Sequence, residues 1–208
     1  MKDKLNKSVL SELVNKASTK KHIYGAVFYV SSGDNGIDLI SAAGNIEEDS
    51  RYYIASINKF FVSAIILRLC TEGKLELHDK IAKYLPEDII RGLHIHNGKD
   101  YSNELSVAHL MSQSSGLPCY LTDKQDNGKK AMTELEQGID QPWPIDKVIR
   151  EVRKMKPHFP PGEKGKAKYI DTNHQILGGV IEKITGEPVN IALKNLFQEL
   201  NLTKTYVC

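Results

Sequence analysis

The stretch that most constrains the fold is the run YYIASINKFFVSAIILRLC at residues 52–70. From residue 58 to residue 72, apolar side chains recur on nearly every side of a helix. Helices that are hydrophobic all round are normally surrounded by protein. Gly73 is suited to end this helix, because glycine tolerates the left-handed conformation that follows many helices. The sequence therefore predicts a helix over 58–72 that is buried on all sides.

Ser56 and Lys59 are polar residues one helical turn apart at the front of this run. A serine hydroxyl is a poor nucleophile at neutral pH unless a neighbouring base removes its proton. A lysine amine can be that base when burial or the positive end of a helix dipole keeps it neutral. Residues i and i+3 share a helix face, and the helix N-terminus directs free N–H groups toward a developing oxyanion. The pair is therefore a candidate nucleophile and base, at a helix tip that we expect to be shielded from water.

The same two residues also have a structural interpretation. Serine is a favoured helix N-cap, and a lysine can reach solvent along an apolar surface through its aliphatic stem. Ser18 and Lys21 repeat the spacing in a polar segment, so the spacing alone is not specific. From these residues alone, catalysis and helix capping both remain open for Ser56.

The segment before this run predicts a helix and a β-hairpin. Residues 1–17 are polar, with apolar residues at helical spacing. These are Leu5, Val9, Leu13 and Ala17. Two β-rich runs, 25–30 and 37–42, flank a turn of Ser, Gly, Asp and Asn at 31–36. Because Gly and Asn tolerate positive φ, the pattern is typical of an antiparallel hairpin.

Beyond Leu75 the sequence predicts a helical, loop-rich region. Asn97 and Gly98 indicate a small hairpin, and the polar residues 122–144 indicate a surface excursion with several Gly and Pro. Helical spacing predicts helices over 144–155, 173–185 and 189–200.

Composition excludes several classes of function. The chain has 208 residues and a formal net charge of +2, without the basic stripe of a nucleic-acid-binding protein. No segment approaches the ~20 apolar residues that cross a bilayer, and the first residues lack the apolar stretch of a secretory signal. Three cysteines at unremarkable spacing are expected to be reduced thiols. We therefore expect a cytoplasmic protein without nucleic-acid or membrane partners.

Four sequence blocks follow one another with compatible spacing. They are IASINKFFVSAIILRLCTEGKLELHDKIAKYLP at 54–86, LSVAHLMSQSSGLP at 105–118, FPPGEKGKAKYIDTNHQILGGVIEKITGEP at 159–188 and LKNLFQELNLTKTYV at 193–207. Together they resemble the serine β-lactamase and penicillin-binding-protein superfamily, most closely the class C β-lactamases, D-alanyl-D-alanine peptidases and related esterases. The resemblance runs from about residue 50 to the end. It implies an α/β fold, an antiparallel sheet flanked by helices, with an inserted, mostly helical lobe.

The resemblance also implies the roles of the site residues. Ser56 would attack a carbonyl and form an acyl-enzyme, with Lys59 as its base or proton relay. Tyr169 would be the second-motif tyrosine that moves a proton between Ser56 and the leaving group, helped by the nearby lysine ammonium. The structural alternative for Tyr169 is a half-buried aromatic at a loop-to-helix junction. No cofactor or metal is implied.

Asp171 departs from the family pattern, which often has asparagine at this position. An amide can donate to a substrate carbonyl, whereas a carboxylate only accepts. We expect Asp171 to hold Lys59 by charge, which would raise the pKa of the lysine and oppose its role as a neutral base. Some relatives carry aspartate here, so the change does not by itself disable the site. The alternative is an N-cap for the helix that begins near Asn173.

The family's third motif, a Lys/His-Thr/Ser-Gly triplet on a strand that lines the cleft, has no counterpart after Asp171. Residues 203–205 read TKT and lack the glycine. The strands that complete the sheet are also missing, and a two-stranded ribbon is rarely stable alone and exposes a pairing edge. We expect a fragment of a longer hydrolase, or less favourably a short form that dimerises through this edge. Loss of one oxyanion donor lowers rates ~10²–10³-fold, so low activity is expected.

These observations predict a serine hydrolase for a small-molecule ester or amide substrate. Its segments would be 1–74, with the first helix, the hairpin and the nucleophile helix; 75–168, the helical lobe; and 169–208, with the second motif and the last helices. The competing hypothesis is a catalytically silent descendant that serves as a binding or structural domain. β-Lactam hydrolysis as the physiological task is disfavoured, because no export signal is recognised.

A pair of histidines and a group of three lysines are expected to be structural rather than functional. His94 and His96 lie two apart on an expected strand. Without a third metal ligand, they are expected to be an exposed hairpin pair rather than a metal site. Lys164, Lys166 and Lys168 are expected to form a solvated loop rather than a device that attracts anionic substrates.

Overall fold

The structure is a computed structural model that describes residues 5–33 and 36–207. The chain divides into two compact units, Met1–Ile54 and Ala55–Cys208. Among the helices of the described residues, none combines the length and hydropathy that a bilayer crossing requires.

In the first unit, helix α1 (Lys7–Ser18) packs on a hairpin. Its buried residues are Leu10 and Val14, which are 2% and 0% exposed, whereas Val9 and Leu13 of the predicted apolar face are 37% and 49% exposed. The helix is confirmed, but the residues at the predicted apolar spacing do not form its buried strip. Apolar residues occupy two adjacent strips of this helix, and the strip that the spacing did not single out packs against the hairpin.

The hairpin of the first unit confirms the prediction from the sequence. Strands β1 (Gly25–Ser32) and β2 (Ile37–Gly44) pair antiparallel, with Gly25 opposite Gly44 and Ser32 opposite Ile37. Residues 34 and 35 of the predicted turn lie outside the described residues.

The second unit is mostly helical. Its helices are α2 (Asn58–Thr71), α3 (Glu87–Ile90), α4 (Val107–Met111), α5 (Ala131–Glu136), α6 (Ile145–Val152), α7 (Asp171–Thr185) and α8 (Val189–Glu199). A small hairpin of β3 (Ile95–His96) and β4 (Lys99–Asp100) turns at Asn97 and Gly98, as predicted. The helices predicted over 144–155, 173–185 and 189–200 are confirmed as α6, α7 and α8, with slightly different bounds.

Helix α7 is the centre of the second unit and packs against α2, α4, α6 and α8. Its buried residues include Ile176, Leu177, Val180 and Ile181. Gly179 lets α6 approach closely, because a Cβ at this position would lie 2.7 Å from Cδ1 of Ile145. This packing fixes the first turn of α7, which begins at Asp171, relative to α2.

Helix α2 is buried on one side, where it packs against α7 and α8. Its buried residues are Val62, Ile65, Ile66 and Leu69. Phe60 and Leu67 are 74% and 48% exposed, so the predicted burial on all sides is wrong for the described residues. The helix ends as predicted, with Gly73 at φ +69°. This helix has more apolar side chains than the neighbouring helices α7 and α8 can bury.

His94 is buried rather than exposed, which corrects the prediction of an exposed histidine pair. Its Nε2 lies 3.0 Å from the carbonyl oxygen of Phe159, and Nδ1 of His96 lies 3.1 Å from the carbonyl oxygen of Pro157. Burial lowers the pKa of His94 below its ordinary value. The segment 157–159 covers the small hairpin, a tertiary contact without a local sequence signature.

Candidate active site

Ser56 lies in a 3₁₀ turn, Ala55–Ile57, that leads directly into α2. Lys59 Nζ donates a hydrogen bond to Ser56 Oγ at 2.9 Å. The N-cap of α2 is Ile57, and no side chain caps this helix. The capping interpretation of Ser56 is therefore wrong, because its hydroxyl is engaged with Lys59. The expected shielding from water is wrong too, since Ser56 is exposed and accessible to a ligand.

The backbone immediately before Ser56 is strained. Ala55 has φ +44°, a region that residues with a Cβ seldom adopt and that costs roughly 1–3 kcal/mol. Strain of this kind persists only where the surrounding structure enforces it, and it concentrates at functional sites. It supports a functional role for the adjoining serine.

Asp171 holds the Lys59 ammonium in an ion pair. The Asp171 Oδ1 to Lys59 Nζ distance is 2.5 Å, and the two side chains are 14% and 18% exposed. Burial by itself would lower the pKa of Lys59, but the hydrogen bond and charge of Asp171, together with the neighbouring Tyr169, outweigh it and raise this pKa above its ordinary value. The expectation that Asp171 raises the pKa of Lys59 is confirmed. The expectation that the Lys59 amine is neutral in the resting protein is wrong.

Asp171 is the first residue of α7 and not its cap. The N-cap is Ile170, so the capping alternative for Asp171 is wrong. A carboxylate in the first turn is favourable there, because it faces the positive end of the helix dipole.

Tyr169 lies beside the same ammonium. Lys59 Nζ is 5.0 Å from the centre of the Tyr169 ring, and the neighbouring phenol contributes to the raised pKa of Lys59. The tyrosine is 56% exposed. The structure thus brings together the four residues that the sequence singled out: Ser56, Lys59, Tyr169 and Asp171.

Cys119 belongs to the same cluster, although the sequence did not single it out for the site. Its buried Sγ donates to Asp171 Oδ2 at 3.3 Å and accepts the Asp171 N–H at 3.4 Å. One carboxylate oxygen of Asp171 therefore faces Lys59 and the other faces Cys119, which fixes the orientation of the carboxylate. The only sequence signal for this contact is the position of Cys119 directly after the Ser-Gly-Leu-Pro turn.

A second polar pair, also missed from the sequence, lies one turn further along α2 and α7. Ser63 Oγ and His174 Nε2 are 3.5 Å apart. Burial, together with the nearby Lys59 charge, lowers the pKa of His174 to about 4. His174 is therefore neutral at pH 7, and the packed faces of α2 and α7 carry polar groups at two successive turns.

A small cavity lies beside the start of α7. Tyr120 lies next to the first turn of α7, because its backbone N–H donates a hydrogen bond to Thr172 Oγ1 at 3.1 Å. The rings of Tyr120 and Trp143 are 5.0 Å apart and line a cavity of about 180 Å³. No group of three or more His, Cys, Asp or Glu side chains in residues 5–33 and 36–207 is arranged to hold a metal ion.

The helical second unit and its Ser–Lys–Tyr cluster define a protein of the β-lactamase-like class. The sequence profile of the family described as Beta-lactamase matches residues 10–207. The chain therefore belongs to the Beta-lactamase family, which confirms the resemblance and the α/β, β-lactamase-like fold class.

Similar proteins cover most of this chain but are longer. Protein flp of Staphylococcus aureus (strain N315) is 24% identical over 204 residues, which are 94% of this chain and 37% of that protein. The N-acetylmuramyl-L-alanine amidase of Bacillus subtilis (strain 168) is 27% identical over 190 residues, 89% of this chain and 39% of that protein. The crystal structure of a D-stereospecific amidohydrolase from Streptomyces sp. aligns with a TM-score of 0.77 and 27% identity, and covers 96% of this chain and 56% of that one. The chain thus spans 37% to 56% of the length of these proteins.

Proposed function

We propose that the chain carries the acylation site of a serine hydrolase for small-molecule amides or esters, with Ser56 as the nucleophile. The observation that carries this proposal is the 2.9 Å hydrogen bond between Lys59 Nζ and the accessible Ser56 Oγ, beside a strained backbone. Two of the similar proteins are named as an amidase and an amidohydrolase, which favours an amide substrate.

The charge on Lys59 determines the first step of the proposed mechanism. An ammonium cannot accept the proton of Ser56, so the active form is the one in which Lys59 has lost a proton. The neutral amine then takes the Ser56 proton, and the Ser56 oxygen bonds to the substrate carbonyl carbon. We assign the stabilisation of the resulting oxyanion to N–H groups at the start of α2.

The next steps return the proton. Lys59, now an ammonium, gives its proton to the leaving group directly or through Tyr169, and the bond between the carbonyl carbon and the leaving group breaks. The oxygen of a water molecule then bonds to the acyl carbon while the neutral Lys59 amine takes a proton from the water. The bond between the acyl carbon and the Ser56 oxygen breaks, the acid leaves, and the proton returns to Ser56. Because Asp171 and Tyr169 hold the resting lysine charged, we expect acylation to accelerate as pH rises.

We further propose that this stretch of chain acts slowly by itself. No Lys/His-Thr/Ser-Gly triplet follows Asp171 within residues 172–208, and loss of one oxyanion donor costs about 10²–10³ in rate. A longer hydrolase that includes this stretch, or a second copy paired through the edge of the β1–β2 hairpin, would supply the missing strand. The cytoplasmic location stays a prediction.

A fluorescent fluorophosphonate tests the proposed nucleophile. In this reaction the serine oxygen bonds to phosphorus, fluoride leaves, and the serine proton is transferred to base. We expect one adduct, mapped by mass spectrometry to Ser56, that is absent in Ser56→Ala. Ser18→Ala is the matched control, since Ser18 lies at the same spacing from a lysine but donates to the carbonyl oxygen of Asn15 at 2.9 Å. Labelling that survives in Ser56→Ala would overturn Ser56 as the nucleophile. A protein that never labels, even in a longer chain that carries the third motif, would support the silent binding domain instead.

A further inference from the structure

Gln113 adopts a strained conformation at the end of α4. Its φ is +60°, its N–H donates to the carbonyl of Leu110 at 3.3 Å, and the N–H of Ser114 donates to the carbonyl of His109 at 3.0 Å. This is the helix-ending pattern that glycine usually completes, and a residue with a Cβ costs roughly 1–2 kcal/mol there. The chain therefore keeps a long polar side chain where the backbone favours glycine.

Gln113 contacts the backbone on both sides of Tyr169. Its main-chain carbonyl accepts the N–H of Lys168 at 2.9 Å. Its side-chain Oε1 accepts the N–H of Ile170 at 2.8 Å. One residue thus holds both neighbours of an exposed tyrosine, whose place beside Lys59 depends on the backbone that carries it.

The Gln113 side chain is itself fixed by buried polar groups. Oε1 also accepts a hydrogen bond from Asn173 Nδ2 at 2.8 Å. Asn173 is fully buried, and its Oδ1 accepts from the buried Ser115 hydroxyl at 2.7 Å. Satisfied buried networks of this kind are rigid. Oε1 therefore uses both of its lone pairs in a network that holds the side chain in one conformation.

We propose that Gln113 is a positioning residue for Tyr169. The main-chain carbonyl oxygen and Oε1 of Gln113 fix the backbone of Tyr169. They thereby set the distance of its phenol from Lys59 and Ser56 without touching the substrate. The effect on rate rests on the function proposed above, whereas the effect on the Tyr169 backbone does not. A misplacement of about 1 Å in a catalytic group can lower a rate by about 10²-fold.

Two substitutions at Gln113 separate positioning from general packing. Gln113→Met keeps the length but removes the acceptor, and Gln113→Glu keeps an acceptor for Ile170 and Asn173. Gln137→Met, at an exposed glutamine that follows α5, is the matched control. With saturating fluorophosphonate, we expect the Ser56 labelling rate to fall about 10–100-fold in Gln113→Met and to stay near wild type in Gln113→Glu and Gln137→Met. The half-saturating probe concentration should not change.

Hydrogen exchange supplies a readout that does not need activity. Gln113→Met should speed exchange at the Ile170 amide, while the amides of α6 keep their wild-type rates and thermal denaturation confirms a folded protein. Wild-type labelling speed in Gln113→Met, or an equal loss in Gln113→Glu, overturns the positioning role. If the wild type does not label at Ser56, the proposed function fails, and exchange alone decides. Unchanged Ile170 exchange in Gln113→Met then overturns the inference.

Discussion

Replacing Asp171 by asparagine tests how the ion pair sets the state of Lys59. The two charges are 2.5 Å apart on side chains that are 14% and 18% exposed, so solvent screens them little. An opposite charge within about 4–6 Å typically moves a pKa by about 1–3. In Asp171→Asn the burial of Lys59 is no longer opposed by a carboxylate, and its pKa falls. The neutral fraction of the amine at pH 7 should then rise by about 10- to 1000-fold.

The assay is the rate at which Ser56 reacts with a fluorophosphonate, measured across about pH 6–12 so that the window includes the ordinary lysine pKa. If neutral Lys59 is the base, the rising limb of the profile lies at lower pH in Asp171→Asn than in the wild type. Asp79→Asn is the control, because Asp79 pairs with Lys83 at 2.9 Å outside the Ser56 cluster. That substitution should leave the limb in place. A limb that stays fixed or moves to higher pH in Asp171→Asn would refute the assignment of Lys59 as the titrating base.

Two predictions concern stability. Burial lowers the pKa of His174 to about 4. Between the ordinary histidine pKa near 6.5 and about 4, the unfolded chain therefore binds a proton that the folded protein does not. The free energy of unfolding should decrease as the pH is lowered across this window. His174→Gln should remove at most about 3 kcal/mol of this loss, measured as a smaller drop in urea midpoint from pH 7 to 4; equal drops would count against it. Gly116→Ala should cost about 2–5 kcal/mol, because φ is +71° and a Cβ would overlap the carbonyl oxygen of Phe159. Gly128→Ala, also at positive φ but in open space, should cost only about 1–2 kcal/mol, and equal losses in urea denaturation would show that the contact with Phe159 is unimportant.

The sequence predicted the members of the site better than their chemical state. Ser56, Lys59, Tyr169 and Asp171 lie in blocks whose order and spacing are visible in the chain. The charge of Lys59 depends on whether burial or the opposite charge dominates. The 2.5 Å distance to Asp171, which the sequence does not contain, shows that the opposite charge dominates.

The contacts that the sequence did not predict are long-range. Cys119 reaches Asp171, and Ser63 reaches His174, because α2 and the Ser-Gly-Leu-Pro turn pack against α7. The small hairpin turn at Asn97 and Gly98 and the end of α2 before Gly73 were predicted correctly, because they depend on a few adjacent residues. The buried face of α1 and the partial burial of α2 were not, because each depends on which other elements pack against the helix.

The most direct test of the central claim compares fluorophosphonate labelling of the wild type and Lys59→Met by intact-mass spectrometry. If Lys59 activates Ser56, labelling should slow by about 10²–10⁴-fold in Lys59→Met, as for the loss of a general base. Lys21→Met, at an exposed lysine with the same spacing from a serine, should label at the wild-type rate. Equal rates in the wild type and Lys59→Met would contradict the account.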